Sequence, residues 1–262
     1  MAVIGIMDSG AGGLSVLREI LRVLPDEKYI YFSDSAFCPY GEKSAEFISG
    51  RCHEIVSDFK AKGADAVVIA CNTATAAAIP TLRAEFTDLP LVGMEPAVKP
   101  AALGSRSGVI GVLATKSTLK STKYIDTRRK YTEGVKVMEH IGEGFVELVE
   151  SLELSGPHAE SVVRRSLQPM LDEGADTIVL GCTHYPFLLP VLEQIAGEGV
   201  KFIDPAPAVA RQLIRVLNKS GIECNTHPSR SYDVTLQSSG NDESLKKLFG
   251  TIVRELQENT AA

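Results

Sequence analysis

Two cysteines in this chain stand in matching surroundings. Residues 63–80 read GADAVVIACNTATAAAIP, and residues 174–190 read GADTIVLGCTHYPFLLP. In each, a Gly-Ala-Asp lead-in is followed by a short apolar run, then by Cys71 or Cys182, then by small polar residues. A lone Cys beside an apolar run reads as a small core hydrophobe. Recurrence at the same strand end, followed once by Asn72 and Thr73 and once by Thr183 and His184, points instead to a site built from two halves. The chemistry that needs two thiols is inversion of a stereocentre by proton transfer. One thiolate takes a proton from one face of a carbon, and a thiol returns another to the opposite face. A thiol of ordinary pKa, about 8.5, needs a donor, a cation or a helix N-terminus to favour its thiolate. Both cysteines precede helix-compatible sequence, which supplies one such influence. His184 is near enough in sequence to serve Cys182 as a proton partner, and Asp8 could assist Cys71. Simpler roles stand beside these: Asp8 as a helix cap, His184 as a loop-orienting residue.

Other chemistries fit less well. Cys182 and His184 could ligate a metal, but no CxxC or HxxxH spacing supplies the remaining ligands. The Asp8-Ser9-Gly10-Ala11-Gly12-Gly13 turn resembles a phosphate cradle, yet GxGxxG would require Gly where Ser15 stands, and no Walker lysine follows. Cys71 as a covalent nucleophile with His184 as base would leave Cys182 unexplained.

The elements that must position these residues alternate between strand and helix. Residues 2–7 form an apolar strand, and a helix follows over 14–24 with apolar residues at 14, 17, 20, 21 and 24. A second strand over 29–32 ends in Ser33-Asp34 and a loop carrying Pro39-Tyr40-Gly41; a helix over 44–62 leads to the Cys71 strand. Residues 91–94 and Glu95-Pro96-Ala97 close this first series. The pattern then restarts: GVIGVL at 108–113 echoes the opening strand, 135–139 is a weaker strand, and Asp204-Pro205-Ala206 answers Glu95-Pro96-Ala97. The expectation is an α/β fold of two similar three-layer domains with mainly parallel sheets, related by internal duplication. The helix, strand (232–236) and helix beyond residue 207 have no place in the second copy. The first domain is therefore expected to comprise 1–97 plus 207–262, and the second 98–206. Each polar cluster follows the C-terminal end of a strand, the edge where ligands bind in open parallel sheets. Two such edges facing one another would oppose the two cysteines across a cleft.

Composition narrows the function classes. The 262 residues are 44% hydrophobic and 23% charged, as in an ordinary globular protein, and the net charge of −6 argues against nucleic acid as a partner. Five irregularly spaced cysteines are not a secreted disulfide framework. The sequence begins in a strand pattern without a signal peptide and has no apolar run long enough to span a bilayer. A cytoplasmic location, with no membrane partner, is the expectation.

The motifs Asp8-Ser9-Gly10-x-Gly12-Gly13, Pro39-Tyr40-Gly41, Cys71-Asn72-Thr73-Ala74, Glu95-Pro96-Ala97 and Gly181-Cys182-Thr183-His184-Tyr185-Pro186 extend over most of the chain. Together they resemble the cofactor-independent aspartate/glutamate racemase family, and Asp-Ser-Gly with Pro-Tyr-Gly favours its glutamate-specific branch. The resemblance implies interconversion of L- and D-glutamate, with the D-isomer supplied to peptidoglycan synthesis, and neither metal nor other cofactor. It makes Cys71 and Cys182 the acid/base pair, Cys71 facing the α-proton of the D-isomer and Cys182 that of the L-isomer. It places Asp8, Ser9, Tyr40, Gly41, Asn72, Thr73, Thr115, Thr118, Thr183 and His184 around the substrate, and Glu150 as the acid supporting His184. Two departures stand out. Phe37 occupies a position where relatives often carry Arg, removing an expected supporting contact. Gly142-Glu143-Gly144 replaces the commoner Cys-Pro-Leu ahead of the segment that carries Glu150. Cys38, Cys52 and Cys224 have no counterparts in the repeat and read as structural. A racemase for aspartate is the nearest alternative, and a two-lobed amino-acid-binding protein the alternative of another class. A homodimer is compatible with the sequence, which identifies no dimer face. Exhaustive dialysis against a chelator is expected to leave racemisation intact and the spectrum without a bound chromophore. Activity lost on dialysis and restored by a metal or pyridoxal phosphate would contradict the cofactor-free reading.

Overall fold

A computed structural model of the protein describes residues 1–224 and 231–261. The chain divides into two compact units, one comprising Met1–Met94 with Ala206–Ala262 and the other Glu95–Pro205. The first opens with β1 (Val3–Asp8), α1 (Leu14–Val23), β2 (Lys28–Ser33), α2 (Ala45–Ala61), β3 (Ala66–Ile69), α3 (Asn72–Glu85) and β4 (Leu91–Gly93). The second contains α4 (Val98–Gly104), β5 (Val109–Ala114), α5 (Lys116–Lys120), α6 (Thr122–Tyr131), β6 (Lys136–Ile141), α7 (Phe145–Glu150), α8 (Pro157–Asp172), β7 (Thr177–Gly181), α9 (Leu189–Ala196) and β8 (Lys201–Ile203). The chain then returns to the first unit with α10 (Ala206–Lys219), β9 (Asp233–Ser238) and α11 (Glu243–Ala261).

Both sheets are parallel throughout. Their strand orders are β4-β3-β1-β2-β9 and β6-β5-β7-β8. Read from the other side, the second is β8-β7-β5-β6, the order of β4-β3-β1-β2. The α/β fold and its internal duplication, expected from the repeated motifs, are therefore present in the strand topology itself. The central strands are buried on both faces, as a helix-covered parallel sheet requires: every residue of β3 and β7 is buried. On α1, Leu14, Leu17, Ile20 and Leu21 form the buried face that the spacing predicts.

The shared Gly-Ala-Asp lead-in proves to be a structural device. Gly63 and Gly174 both adopt positive φ, +78° and +80°, a backbone region in which a side chain is strained. The Asp65 carboxylate then accepts the backbone N–H of Val3 at 2.8 Å, tying the start of β1 to the start of β3. Asp176 does the same job in the second unit, accepting the N–H groups of Arg106 and Ser107 at 2.6 and 2.7 Å and the Ser105 hydroxyl at 2.7 Å. Burial works against ionisation of Asp176, but these donors outweigh it and hold the carboxyl at about 2.

A second pair of equivalent positions sets how closely helices approach the sheets. Gly5 and Gly111 are each the third residue of their strand. A Cβ on Gly5 would lie 2.6 Å from the Phe59 ring, which is fully buried on α2. A Cβ on Gly111 would meet the tips of Ile178 and Met170 at 2.5 and 2.6 Å. Flexible side-chain ends can shift where a buried ring cannot. Gly5→Ala is therefore expected to destabilise by roughly 1–3 kcal/mol, and Gly111→Ala by less. Urea unfolding midpoints of the two variants test this, and equal losses would contradict the argument.

Candidate active site

In each sheet, two neighbouring strands send their chains off in opposite directions. From β1 the chain goes to β2 on one side, and from β3 it goes to β4 on the other. The same divergence separates β5 from β7. The crevice beyond the carboxyl ends of such strands is where open α/β sheets hold ligands. The residues singled out in the sequence lie at or around these edges: Asp8 and Ser9 at the end of β1, Cys71 after β3, Thr115 after β5, and Cys182 after β7.

In the first unit, Cys71 is the N-cap of α3, a 14-residue helix. Its Sγ accepts the backbone N–H of Ala74 at 3.5 Å and lies 3.8 Å from the Ser9 hydroxyl. A donor and the positive end of a helix thus both face the sulfur, and both favour negative charge there. Thr75, one turn into the helix, fastens it to the sheet: its hydroxyl donates to the Ile69 carbonyl at 3.2 Å and accepts the Met94 N–H at 3.1 Å. Asp8 is fully buried, and its carboxylate accepts the N–H groups of Gly10 and Gly13 at 3.2 and 2.9 Å. That geometry makes it the organiser of the turn leading into α1. Gly13 is required by the contact, since a Cβ there would come within 2.6 Å of the Asp8 Cβ.

Asn72 and Thr73 are both 4% exposed. The Asn72 side chain is unusual, because neither its amide nitrogen nor its amide oxygen has a hydrogen-bond partner among the described residues. Buried polar groups are overwhelmingly paired, so an orphaned donor and acceptor together call for a polar ligand. Tyr40 and Gly41 lie in a short 3₁₀ turn, Tyr40–Glu42, and the buried Tyr40 hydroxyl donates to the carboxylate of Asp34. Asp34 directly follows β2 and is itself fully buried, where it also receives the guanidinium of Arg51.

In the second unit, Cys182 is 8% exposed and its Sγ is 3.8 Å from His184 Nδ1. The other ring nitrogen, Nε2, is 2.7 Å from Glu150 Oε1. Cys182, His184 and Glu150 thus form a chain of contacts in which the sulfur and the carboxylate face the two nitrogens of one imidazole. The helix expected after Cys182 begins later than the pattern suggests. A 3₁₀ turn, Tyr185–Leu188, intervenes before α9, so Cys182 does not cap an α-helix as Cys71 does. The two thiols accordingly face different assistance, a helix terminus in one unit and an imidazole in the other. Thr183 is buried beside His184. Thr115 caps α5, accepting the Thr118 N–H at 3.3 Å, and the two hydroxyls are 3.0 Å apart.

The Gly142-Glu143-Gly144 departure has a local reason. A Cβ on Gly142 would fall 2.6 Å from the Tyr185 hydroxyl, which lies 3.5 Å from the Gly142 carbonyl and is fully enclosed. Phe145 stacks edge-on against the Tyr185 ring at 4.9 Å. This packing seats α7, whose last residue is Glu150. Among the other cysteines, burial pushes the Cys52 thiol up to about 12, consistent with a purely structural role. Asp34 and Arg51 were not singled out by the sequence. Asp34 does carry a signal, since it directly follows a strand as Ser9, Thr115 and Cys182 do, whereas Arg51 lies inside α2 with no motif around it.

The sequence model of the Asp/Glu/hydantoin racemase family matches residues 4–213. The chain belongs to that family. A glutamate racemase of Ectopseudomonas mendocina (strain ymp) is 46% identical over 254 residues, covering 97% of this chain and 95% of its own. Among solved structures, the glutamate racemase of Escherichia coli in complex with L-glutamate and the activator UDP-MurNAc-Ala matches with a TM-score of 0.84. It is 34% identical and the match covers 96% of this chain and 95% of that one. The enzyme of Francisella tularensis in complex with D-glutamate matches with a TM-score of 0.79 at 27% identity, over 98% and 94% of the two chains. For a racemase of this family, the Glu150–His184 contact is expected to support turnover rather than binding. Glu150→Gln keeps the shape and removes the charge, and should lower kcat roughly tenfold or more with KM little changed. Steady-state kinetics on the variant decide it; an unaltered kcat would reduce Glu150 to a packing residue.

Proposed function

We propose that this chain is a glutamate racemase that interconverts L- and D-glutamate with Cys71 and Cys182 as its two acid/base groups. The observation that carries the reading is the equivalence of the two cysteines. Each follows the carboxyl end of the corresponding central strand, at the divergence point of its own sheet, and each has proton-handling or charge-stabilising groups against its sulfur. Core packing gives no reason for such a pair. The orphaned amide of Asn72 supports an amino acid as the ligand, because it offers one donor and one acceptor to a zwitterion. Relatives bearing L-glutamate and D-glutamate support glutamate as that amino acid.

In this mechanism one thiolate removes the α-proton, the carbon flattens to a carbanion, and the opposite thiol donates its proton to the other face. After one turnover the protonation states of the two sulfurs have exchanged, so the reverse reaction starts from the product form. His184 takes and returns the Cys182 proton, oriented by Glu150, while the N-terminus of α3 stabilises Cys71 as a thiolate. Asp8, Ser9, Tyr40, Gly41, Asn72, Thr73, Thr115, Thr118 and Thr183 surround the substrate, and Asp8, which holds the turn that presents Ser9, assists Cys71. The D-isomer made this way would feed peptidoglycan synthesis in the cytoplasm. No helix among the described residues is long and apolar enough to cross a membrane.

Incubating the protein separately with L-glutamate and L-aspartate, and following optical rotation to zero, identifies the substrate. Decay with aspartate alone would overturn the assignment. The two-thiol assignment has a test of its own in a β-chloro analogue of glutamate, from which α-proton removal expels chloride with no need for reprotonation. Cys71→Ser should release chloride preferentially from the L-analogue and Cys182→Ser from the D-analogue, with racemisation abolished in both. The same isomer preference in both variants would refute the assignment of one thiol to each face.

A further inference from the structure

The segment that carries Tyr40 and Gly41 is held by a buried ionic contact that the motifs do not contain. Asp34 is fully buried, and a buried carboxylate persists as an anion only when paired and hydrogen-bonded. Arg51, on the second turn of α2, grips it with two parallel bonds: Nε to Oδ2 at 3.0 Å and Nη2 to Oδ1 at 2.8 Å. The Tyr40 hydroxyl donates to the same Oδ2 that accepts Nε. Burial works against the Asp34 anion, but the hydrogen bonds from Arg51, Tyr40 and Ser239 overcome it and bring the carboxyl below its ordinary range. The guanidinium plane is fixed in turn. Its centre lies 4.8 Å over the Phe37 ring, Phe37 packs edge-on against Phe47, and the remaining nitrogen reaches Glu54. Phe37 thus serves as the platform under a cation supplied from α2, at the position where a cation of the loop's own was expected.

We infer that Arg51 is a positioning residue, which acts through Asp34 to fix Tyr40 and so the Tyr40–Gly41 turn in its substrate-receiving geometry. This rests on the proposed placement of Tyr40 and Gly41 at the substrate. The forked grip cannot be reproduced by a lysine, whose ammonium is a single point of contact. With the fork lost, the orientation of the Asp34 carboxylate is no longer fixed by two parallel bonds and rests on a single cationic contact beside Tyr40 and Ser239. Tyr40, 1% exposed, has no water to replace that carboxylate, so a reoriented Asp34 passes its shift on to the turn. Such a change weakens ground state and transition state alike and therefore appears in KM.

Arg51→Lys keeps a cation beside Asp34, so that the fold persists, and Tyr40→Phe removes only the hydroxyl. Both are to be measured with the double variant, using polarimetric kinetics on glutamate and the thermal midpoint of each protein. Each single variant is expected to raise KM about tenfold with kcat changed less than about threefold. The double variant should be no worse than the poorer single one, because both act through the same carboxylate. Arg51→Lys with an unaltered KM and only a lowered thermal midpoint would make the contact purely structural and overturn the inference. So would KM effects that multiply in the double variant. A wild-type protein that racemises no glutamate would sink the substrate reading and this inference with it, whereas normal wild-type turnover with either result above sinks this inference alone.

Discussion

In each unit the position of the candidate residues follows from one topological constraint, the divergence of the chain at two adjacent central strands. Strands buried on both faces leave no room for polar side chains along their length, so polar groups collect where the strands end. At β1 and β3 the onward connections lead away to opposite sides, leaving the ground between the two ends uncovered by crossover chain. Ser9 and Cys71 reach that ground from either side and come within 3.8 Å of each other. β5 and β7 repeat the arrangement with Thr115 and Cys182. The thiols need no long loop to hold them, because each sits one or two residues beyond a rigid strand.

Carboxylates do the fastening at both edges of the sheets. At the amino edge, Asp65 and Asp176 accept backbone N–H groups from the start of a neighbouring strand or the turn before it. At the carboxyl edge, Asp8 gathers the N–H groups of its own turn and Asp34 gathers a tyrosine and an arginine. A carboxylate has room for several donors, so a single buried one can pin several segments, provided enough donors compensate its burial. All four thus fasten backbone or neighbouring side chains, and Glu150 differs by pairing with a titratable ring.

The α/β class, the duplication and the two cysteine-bearing strands were legible because each rests on local pattern: apolar runs of strand length, a shared Gly-Ala-Asp lead-in, and a motif that occurs twice. The 3₁₀ turn after Cys182 was not legible, since Tyr185-Pro186-Phe187-Leu188 carries apolar residues at a spacing that suits an α-helix as well. The loss of an arginine at Phe37 was readable as a gap, but its replacement was not. Arg51 meets Asp34 only because α2 packs across the loop, and side chains 17 residues apart in sequence announce no such meeting. The same holds for Gly142, whose significance lies in a tyrosine hydroxyl 43 residues away.

The strand order has a further consequence for how the protein comes into being. β9, from near the end of the chain, lies beside β2 and gives the first sheet its outer strand, while α10 packs on α1. The first unit thus lacks part of its sheet and of its helical cover until α10 and β9 have been synthesised. The second unit is drawn from one continuous stretch, Glu95–Pro205, and has all its residues earlier. Since domains fold as units once their sequence is available, the order of maturation runs against the order of synthesis: the unit begun second is finished first. In the folded sheet β9 covers the outer edge of β2, whose alternation of buried and partly exposed residues would otherwise suit pairing with a foreign strand.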